Sequence, residues 1–499
     1  MRRRDALALF SAPALAASTE AIVVDPAPLH PLSPYLYMQF MEPLGVTDGS
    51  VEACWDYERD DWREDFVNVT RDLAPGVLRW GGLFSRYYKW REGVGPAARR
   101  PLMRNYVWGG RETNRVGTAE FVDLCRRTGA APLICVNFLS DGQQRFRGTR
   151  EGDRSGDARE AAGWVSYAND PSNRDRRAHG SAEPYNIRLW QLGNETSYGR
   201  ECFRKQEAIA KTIEFAKAMR ERDPSVQLIG WGDRDPIDRS LWAGDMLREA
   251  GEYLSFIAIH MMQQRPVRKD TILRGRSYQQ DPARAWDELM EMSRAVDGRL
   301  VELEQVLGRS RIGVAVTEGH LSLRPHNANQ ILTEWLTGVY HARAMNTYER
   351  HGERVKIATG ADFAGTRWTV NAVLLPVPGG QSYLTPVGAV MRLFGRNRGA
   401  EAIAVKSAPA DLDIAASRTD NRIWLHVANT AFARSCPATF AVSGRTIVRA
   451  TVHEIAPEDV RTAPSPEEPN ALAPRLNPVI GATWRFPAAS VSVVELEVR

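Results

Sequence analysis

The chain has no apolar run of transmembrane length, no Cys-x-x-Cys pair and no histidine spacing suited to a metal. The first lack excludes a helical integral membrane protein. The five cysteines, Cys54, Cys125, Cys135, Cys202 and Cys436, are odd in number and widely separated, so no disulfide framework is expected. Cys125 and Cys135 flank a helix-to-strand turn and read as small buried apolar residues. The nine histidines are scattered, and neither a metal nor a cofactor is expected. Charge of one sign is also scarce. Lys and Arg total 65 against 61 Asp and Glu, and the basic residues are interleaved with acidic ones. That pattern argues against a nucleic-acid partner. No glycine-rich dinucleotide fingerprint follows the first predicted strand, which disfavours a doubly wound nucleotide-binding sheet.

The amino terminus carries Arg2-Arg3-Arg4, then the mostly apolar stretch Ala6 to Leu15, then Ala16 and Ala17. Residues 1–17 read as a secretory signal of twin-arginine type. Ser11 and Pro13 interrupt a core that is already short, so a frayed terminus is the alternative. The signal reading places the protein in the periplasm or outside the cell, with no membrane attachment once it is removed. The alternative leaves it in the cytoplasm.

Eight short apolar runs alternate with amphipathic segments. The runs are Tyr35–Met41, Gly76–Trp80, Ala131–Phe138, Ile187–Leu192, Val226–Trp231, Phe256–Met261, Gly313–Thr317 and Val355–Thr359. Helical patterns cover Thr118–Arg127 (with Thr118 as the expected cap), Phe203–Arg222, Ala283–Leu307 and Asn327–His351. Asp223-Pro224 is a sharp stop after the second of these. This alternation predicts an α/β fold, a (β/α)8 TIM barrel with enlarged loops. Beyond Arg398 the texture changes to short alternating runs without helices, which predicts a C-terminal antiparallel β-sandwich. The expected division is a signal at 1–17, a strand within 18–30 joining the sandwich, the barrel at 31–398 and the sandwich at 399–499.

The candidate chemistry falls at the carboxyl ends of predicted strands, where barrel enzymes carry their active sites. Glu42 follows strand one, Arg79 and Asn137 lie near the ends of strands two and three, and Asn194-Glu195 follow strand four. His260 lies near the end of strand six and Glu318 follows strand seven. A retaining glycosidase needs one carboxylate as nucleophile and one carboxylic acid to protonate the leaving oxygen, roughly 5–5.5 Å apart. Strands four and seven lie on roughly opposite sides of such a barrel, so Glu195 and Glu318 can meet. An Arg such as Arg79 would hold Glu318 ionised. Burial and the charge of Glu318 would keep Glu195 protonated at the start. Asn194 is placed to bind a sugar 2-hydroxyl.

Several ordered motifs resemble glycoside hydrolase family 51, the α-L-arabinofuranosidases of clan A. They are Phe40-Met41-Glu42-Pro43-Leu44-Gly45, Leu78-Arg79-Trp80-Gly81-Gly82, Tyr88-Lys89-Trp90, Gly93-Val94-Gly95-Pro96, Arg100-Pro101, Glu112–Phe121 and Gly193-Asn194-Glu195. The resemblance implies that Glu195 is the acid/base, Glu318 the nucleophile, and Glu42 and Asn194 sugar ligands. Arg79 and His260 would then orient the surroundings of the nucleophile. It also leaves room for a homo-oligomer, since members of the family are often oligomers.

The sugar-reading shell departs from the family. Leu83 replaces the Asn of the Gly-Gly-Asn turn, and His260-Met261-Met262 replaces a His followed shortly by Tyr. Gly319 follows Glu318 where Trp is common, and Trp368 stands near the position of a sugar-binding Gln. Trp368 could stack on a sugar face or simply pack. The reading is a retaining glycoside hydrolase acting on polysaccharide or oligosaccharide, with α-L-arabinofuranosides as the default substrate. A glycosidase for a pyranoside and a non-catalytic carbohydrate-binding protein are the alternatives.

Overall fold

The computed structural model describes residues 20–263 and 265–499, so the expected signal at 1–17 lies outside the described residues. Eight parallel strands form the central sheet: Met38–Met41, Val77–Trp80, Ala131–Val136, Leu189–Leu192, Gln227–Trp231, Phe256–Gln263, Gly313–Leu321 and Val355–Ile357. They pair in chain order. A parallel bridge from Tyr37 to Ala358 joins the first strand to the last, with the Met38 amide 2.8 Å from the Ala358 carbonyl. The TIM-barrel expectation holds. The interior is packed by the β-branched and aliphatic residues that made the runs visible, among them Leu78, Leu133, Ile229, Ile257 and Val314, each fully buried.

Several boundaries differ from the sequence pattern. Strands six and seven continue to Gln263 and Leu321, so Glu318 lies inside a strand rather than after one. The helix expected from Asn327 starts only at Gly338, and two 3-10 turns, Gln330–Thr333 and Trp335–Thr337, occupy the interval. The helix Thr118–Thr128 is capped by Gly117, whose amide bonds Glu120 at 2.9 Å; Thr118 instead accepts from the Trp164 indole at 3.1 Å.

The C-terminal module is a nine-stranded, mostly antiparallel ladder, and the amino-terminal strand Glu20–Pro31 is part of it. That strand pairs antiparallel with Glu401–Ser407 and parallel with Cys436–Val442. Ile22, Leu425, Phe440, Phe486 and Val494 share one apolar core, so the ladder bends over on itself. The module is keyed to the barrel by buried polar contacts. Trp286 and Trp335 donate to the carbonyls of Thr430 and Ala489, both at 2.8 Å, and His426 meets Glu349 at 2.9 Å. All five cysteines are unpaired, and four of them are buried.

Candidate active site

The first rule of the site is a break in register. Ile259 of strand six pairs with Val316, but His260 pairs with Glu318, so Thr317 is an extra residue in strand seven. Such a bulge re-aims the side chains that follow it. Glu318 thereby faces Glu195 and His260. One ligand atom from each of the three lies within 4.8 Å of the others. His260 Nδ1 is 3.1 Å from Glu195 and 3.6 Å from Glu318.

Glu195 arrives by a different device. Strand four stops at Leu192, and Gly193 turns the chain with φ 75°. Glu195 itself sits at φ 54°, a left-handed conformation that costs a non-glycine residue on the order of 1 kcal/mol or more. A buried pair holds this turn. Asp141 accepts from the Asn194 amide at 3.2 Å and from Arg86 at 3.0 Å, and Arg86 reaches the Asn194 carbonyl at 3.2 Å. Burial pushes the Asp141 carboxyl up to about 6 despite Arg86.

Arg79 is wholly buried and uses its guanidinium as a hub. It bonds Gln191 at 2.8 Å, Glu318 at 3.1 Å and Asn194 at 2.5 Å. Gln191 passes the bond on to the Gly193 carbonyl at 2.9 Å. The Asn194 Nδ2 is buried with no partner among the described residues, which leaves a donor for a ligand.

Glu42 lies beside this group. Its Oε1 accepts from the Phe84 amide and the Trp108 indole, both at 3.0 Å. Burial and the nearby Glu318 push its carboxyl up to about 8. Gly82 is required here because a Cβ would lie 2.2 Å from Glu42 Oε2. Trp368 packs edge-on against Trp108 at 5.2 Å, so it joins the site through Glu42. Asn137 does not join. Its side chain is spent on the carbonyls of Tyr88 and Arg154 and on the Ser140 amide.

The protonation order inverts the sequence expectation. Burial raises Glu195, but the hydrogen bond and charge of His260, with Arg86 and Arg79, bring it below its ordinary value. For Glu318 burial prevails over His260 and Arg79, and Glu195 adds to the rise. The cause is geometric: the imidazole lies nearer Glu195. Glu195, His260 and Glu318 are also the one cluster of metal-ligand type among the described residues. Arg79 already supplies a cation to its Glu318 side. A surface cavity of about 1030 Å³ lies elsewhere, beside Tyr57, Arg63 and Tyr383. It lacks this constellation.

Two family models match the chain. The α-L-arabinofuranosidase 1 domain covers residues 69–280, and the α-L-arabinofuranosidase C-terminal domain covers 315–490. The chain belongs to the α-L-arabinofuranosidase family, glycoside hydrolase family 51. Curated relatives agree with this membership. Alpha-L-arabinofuranosidase C of Emericella nidulans is 34% identical over 217 residues, 41% of this chain and 40% of that protein. The intracellular exo-alpha-(1->5)-L-arabinofuranosidase of Halalkalibacterium halodurans is 27% identical over 352 residues, 65% of each. The matched regions thus span less than two thirds of these relatives' lengths. The arabinose complex of the Thermotoga maritima α-L-arabinofuranosidase superposes with a TM-score of 0.77 at 25% identity, covering 96% of this chain and 99% of that one.

Against this family background, sequence reasoning missed several residues. Gln191 lies within the apolar strand-four run, which gives no local sign of its bond to Arg79. Asp141 and Arg86 are far from Glu195 in sequence and had no shared motif. His320 also went unnoticed. It follows Glu318 by two, so it shares its face of strand seven, and its Nδ1 is 2.8 Å from Asp362. Both residues are buried, and His320 Nε2 has no partner among the described residues. Burial opposes the charge on His320, but Asp362, Glu318 and Glu195 together raise its pKa. Only the alternation Glu318-x-His320 offered a signal.

Proposed function

We propose that this protein is a retaining glycoside hydrolase that cleaves α-L-arabinofuranosides by double displacement. The observation that carries the reading is the approach of the Glu195 and Glu318 carboxylates to within 4.8 Å. Retaining enzymes place the pair roughly 5–5.5 Å apart, whereas inverting enzymes leave roughly 6.5–9.5 Å for a water. The arabinofuranosidase names of the relatives support the furanoside over a pyranoside.

In the first step the Glu318 carboxylate attacks the anomeric carbon while Glu195 gives its proton to the departing glycosidic oxygen. The carbon–oxygen bond to the aglycone breaks and a glycosyl ester of Glu318 forms. Water then attacks the same carbon, Glu195 takes up its proton, and the ester releases free sugar and the Glu318 carboxylate. The starting microstate needs the proton on Glu195. That proton has only to move between the Glu318 and Glu195 carboxyl groups, which lie within 4.8 Å of one another. Arg79 stabilises the charged Glu318 that results. Asn194 Nδ2 is left to bond the 2-hydroxyl, an interaction that strengthens in the oxocarbenium-like transition state. The largely neutral Glu42 is able both to donate to and to accept from a sugar hydroxyl.

The test is hydrolysis of an aryl α-L-arabinofuranoside with the first-formed anomer read by proton NMR. Retention is expected, and inversion would overturn the reading. Replacing Glu318 with Ala is expected to reduce turnover to background. Azide is expected to restore part of it as a glycosyl azide of inverted configuration.

Export belongs to the same proposal and rests on Arg2–Arg4 and the apolar stretch Ala6–Leu15. The Halalkalibacterium halodurans relative is named intracellular. No described helix is long and apolar enough to cross a membrane. Sequencing the amino terminus of the protein from native cells decides between a cleaved signal and a retained one.

A further inference from the structure

Basic side chains dispersed in sequence are gathered at one edge of the barrel mouth. Arg265 and Lys269 follow strand six, Arg274 comes from the loop beyond, and Arg324 and His326 follow strand seven. Arg265, Lys269, Arg274, Arg324 and His326 are exposed, and among the described residues no carboxylate lies within salt-bridge distance of the first four. Arg268, between them, is paired with Glu291, and the one acidic residue of the loop, Asp270, is taken by Arg284. The His326 imidazole is held below its ordinary value, first by partial burial and then by the charge of His320, with Asp362 opposing and Arg324 adding to the fall.

The patch is concave. Two adjoining cavities of about 400 and 520 Å³ share Arg265 and Arg324 in their walls. It is also continuous with the catalytic centre. Glu318, His320 and Ser322 alternate along one face of the extended chain, Ser322 bonds His326 at 2.8 Å, and the Ser322 amide bonds the Gln263 carbonyl at 3.0 Å. At about 3.3 Å of rise per residue, Ser322 lies about 13 Å beyond Glu318. That is roughly the length of a short oligosaccharide.

An excess of cations in a concave site concentrates and orients an anionic ligand, in a manner that salt weakens. We infer that the substrate chain carries a carboxylate sugar, and that Arg265, Arg274 and Arg324 bind this uronate while the arabinofuranosyl group occupies the Glu195–Glu318 site. The inference rests on the proposed function and adds the chemical class of the glycan that bears the arabinose. The guanidinium groups suit a planar carboxylate through paired N–H donors.

Two measurements test it. The first compares kcat/KM on an oligosaccharide bearing one arabinofuranosyl branch and one glucuronic acid with its carboxyl-reduced counterpart. The acidic form is expected to be favoured about tenfold at low salt, with the preference lost at high salt. In Arg265→Gln/Arg274→Gln/Arg324→Gln the preference is expected to vanish through a raised KM, with a neutral aryl arabinofuranoside cleaved as before. The Gln side chains leave the backbone contacts of Arg324 to Gly275 and Asn329 in place. Equal kcat/KM for the two oligosaccharides, or equal loss on all substrates in the variant, would overturn it.

The second measurement is calorimetric binding of the same two oligosaccharides to Glu318→Gln, which does not need turnover. Tighter binding of the acidic form supports the patch even if the aryl arabinofuranoside is not cleaved, a result that would overturn the proposed reaction alone. Equal binding of both forms would overturn the uronate site while leaving the reaction untouched.

Discussion

Nη1 of Arg79 lies 3.1 Å from Oε1 of Glu318, and Nη2 of the same guanidinium lies 2.5 Å from Oδ1 of Asn194. One buried cation thus ties strand two to strands four and seven. Removing it would strand a carboxylate and two amide oxygens in the barrel mouth. Arg79→Ala is therefore expected to lose about 3–5 kcal/mol in denaturant unfolding. Arg79→Lys is expected to restore little kcat, since an ammonium cannot reproduce the fork. An unchanged unfolding midpoint in Arg79→Ala would contradict the role.

The acid assignment predicts a dependence on leaving group. Glu195→Ala is expected to lose about 10²–10⁴-fold in kcat/KM on natural glycosides. A dinitrophenyl arabinofuranoside, whose leaving group needs no proton, is expected to retain most of its glycosylation rate. A uniform loss across leaving groups would remove Glu195 from the acid role.

Glu42 gives a pH signature in stability. Its folded carboxyl titrates at about 8 against an ordinary value of 4.5. Between those values the folded protein holds a proton that the unfolded chain has released, so stability falls as pH rises through the window. Glu42→Gln is expected to flatten that fall, because Gln Oε1 still accepts from Phe84 and Trp108 and carries no charge. Parallel pH–stability profiles for the two proteins would refute it.

Gly82 supplies a steric test of the same contact. The Cβ of Gly82→Ala would press on Glu42 Oε2, so the carboxyl must shift away from the Trp108 indole. The expected outcome is a KM raised about tenfold or more, equivalent to about 1.4 kcal/mol of lost binding. A wild-type KM would show that the position of Glu42 is not used.

The barrel was legible because buried parallel strands are continuous apolar runs, and all eight stood out. Glu195 and Glu318 were legible because each interrupts or ends such a run. The apolar run could not show that strand seven carries on through Glu318-Gly319-His320, since pairing there is made by backbone groups that composition does not report. The bulge at Thr317 is invisible for the same reason: it is defined by the partner strand. The false start of the helix at Asn327 came from apolar residues Ile331, Leu332, Trp335 and Leu336, which are buried but in 3-10 turns. Gln191, Asp141 and His320 take part through contacts between elements distant in sequence, and no local pattern announces them. The basic edge escaped for a related reason, since Arg265, Arg274 and Arg324 are unremarkable until the loops after two adjacent strands meet.

The strand Glu20–Pro31 stands between Glu401–Ser407 and Cys436–Val442, third from one edge of the nine-stranded ladder. A ribosome must therefore release nearly the whole polypeptide before its opening segment finds its seat. The barrel is meanwhile flanked by a waiting edge, and no single cut in the backbone would yield two intact halves.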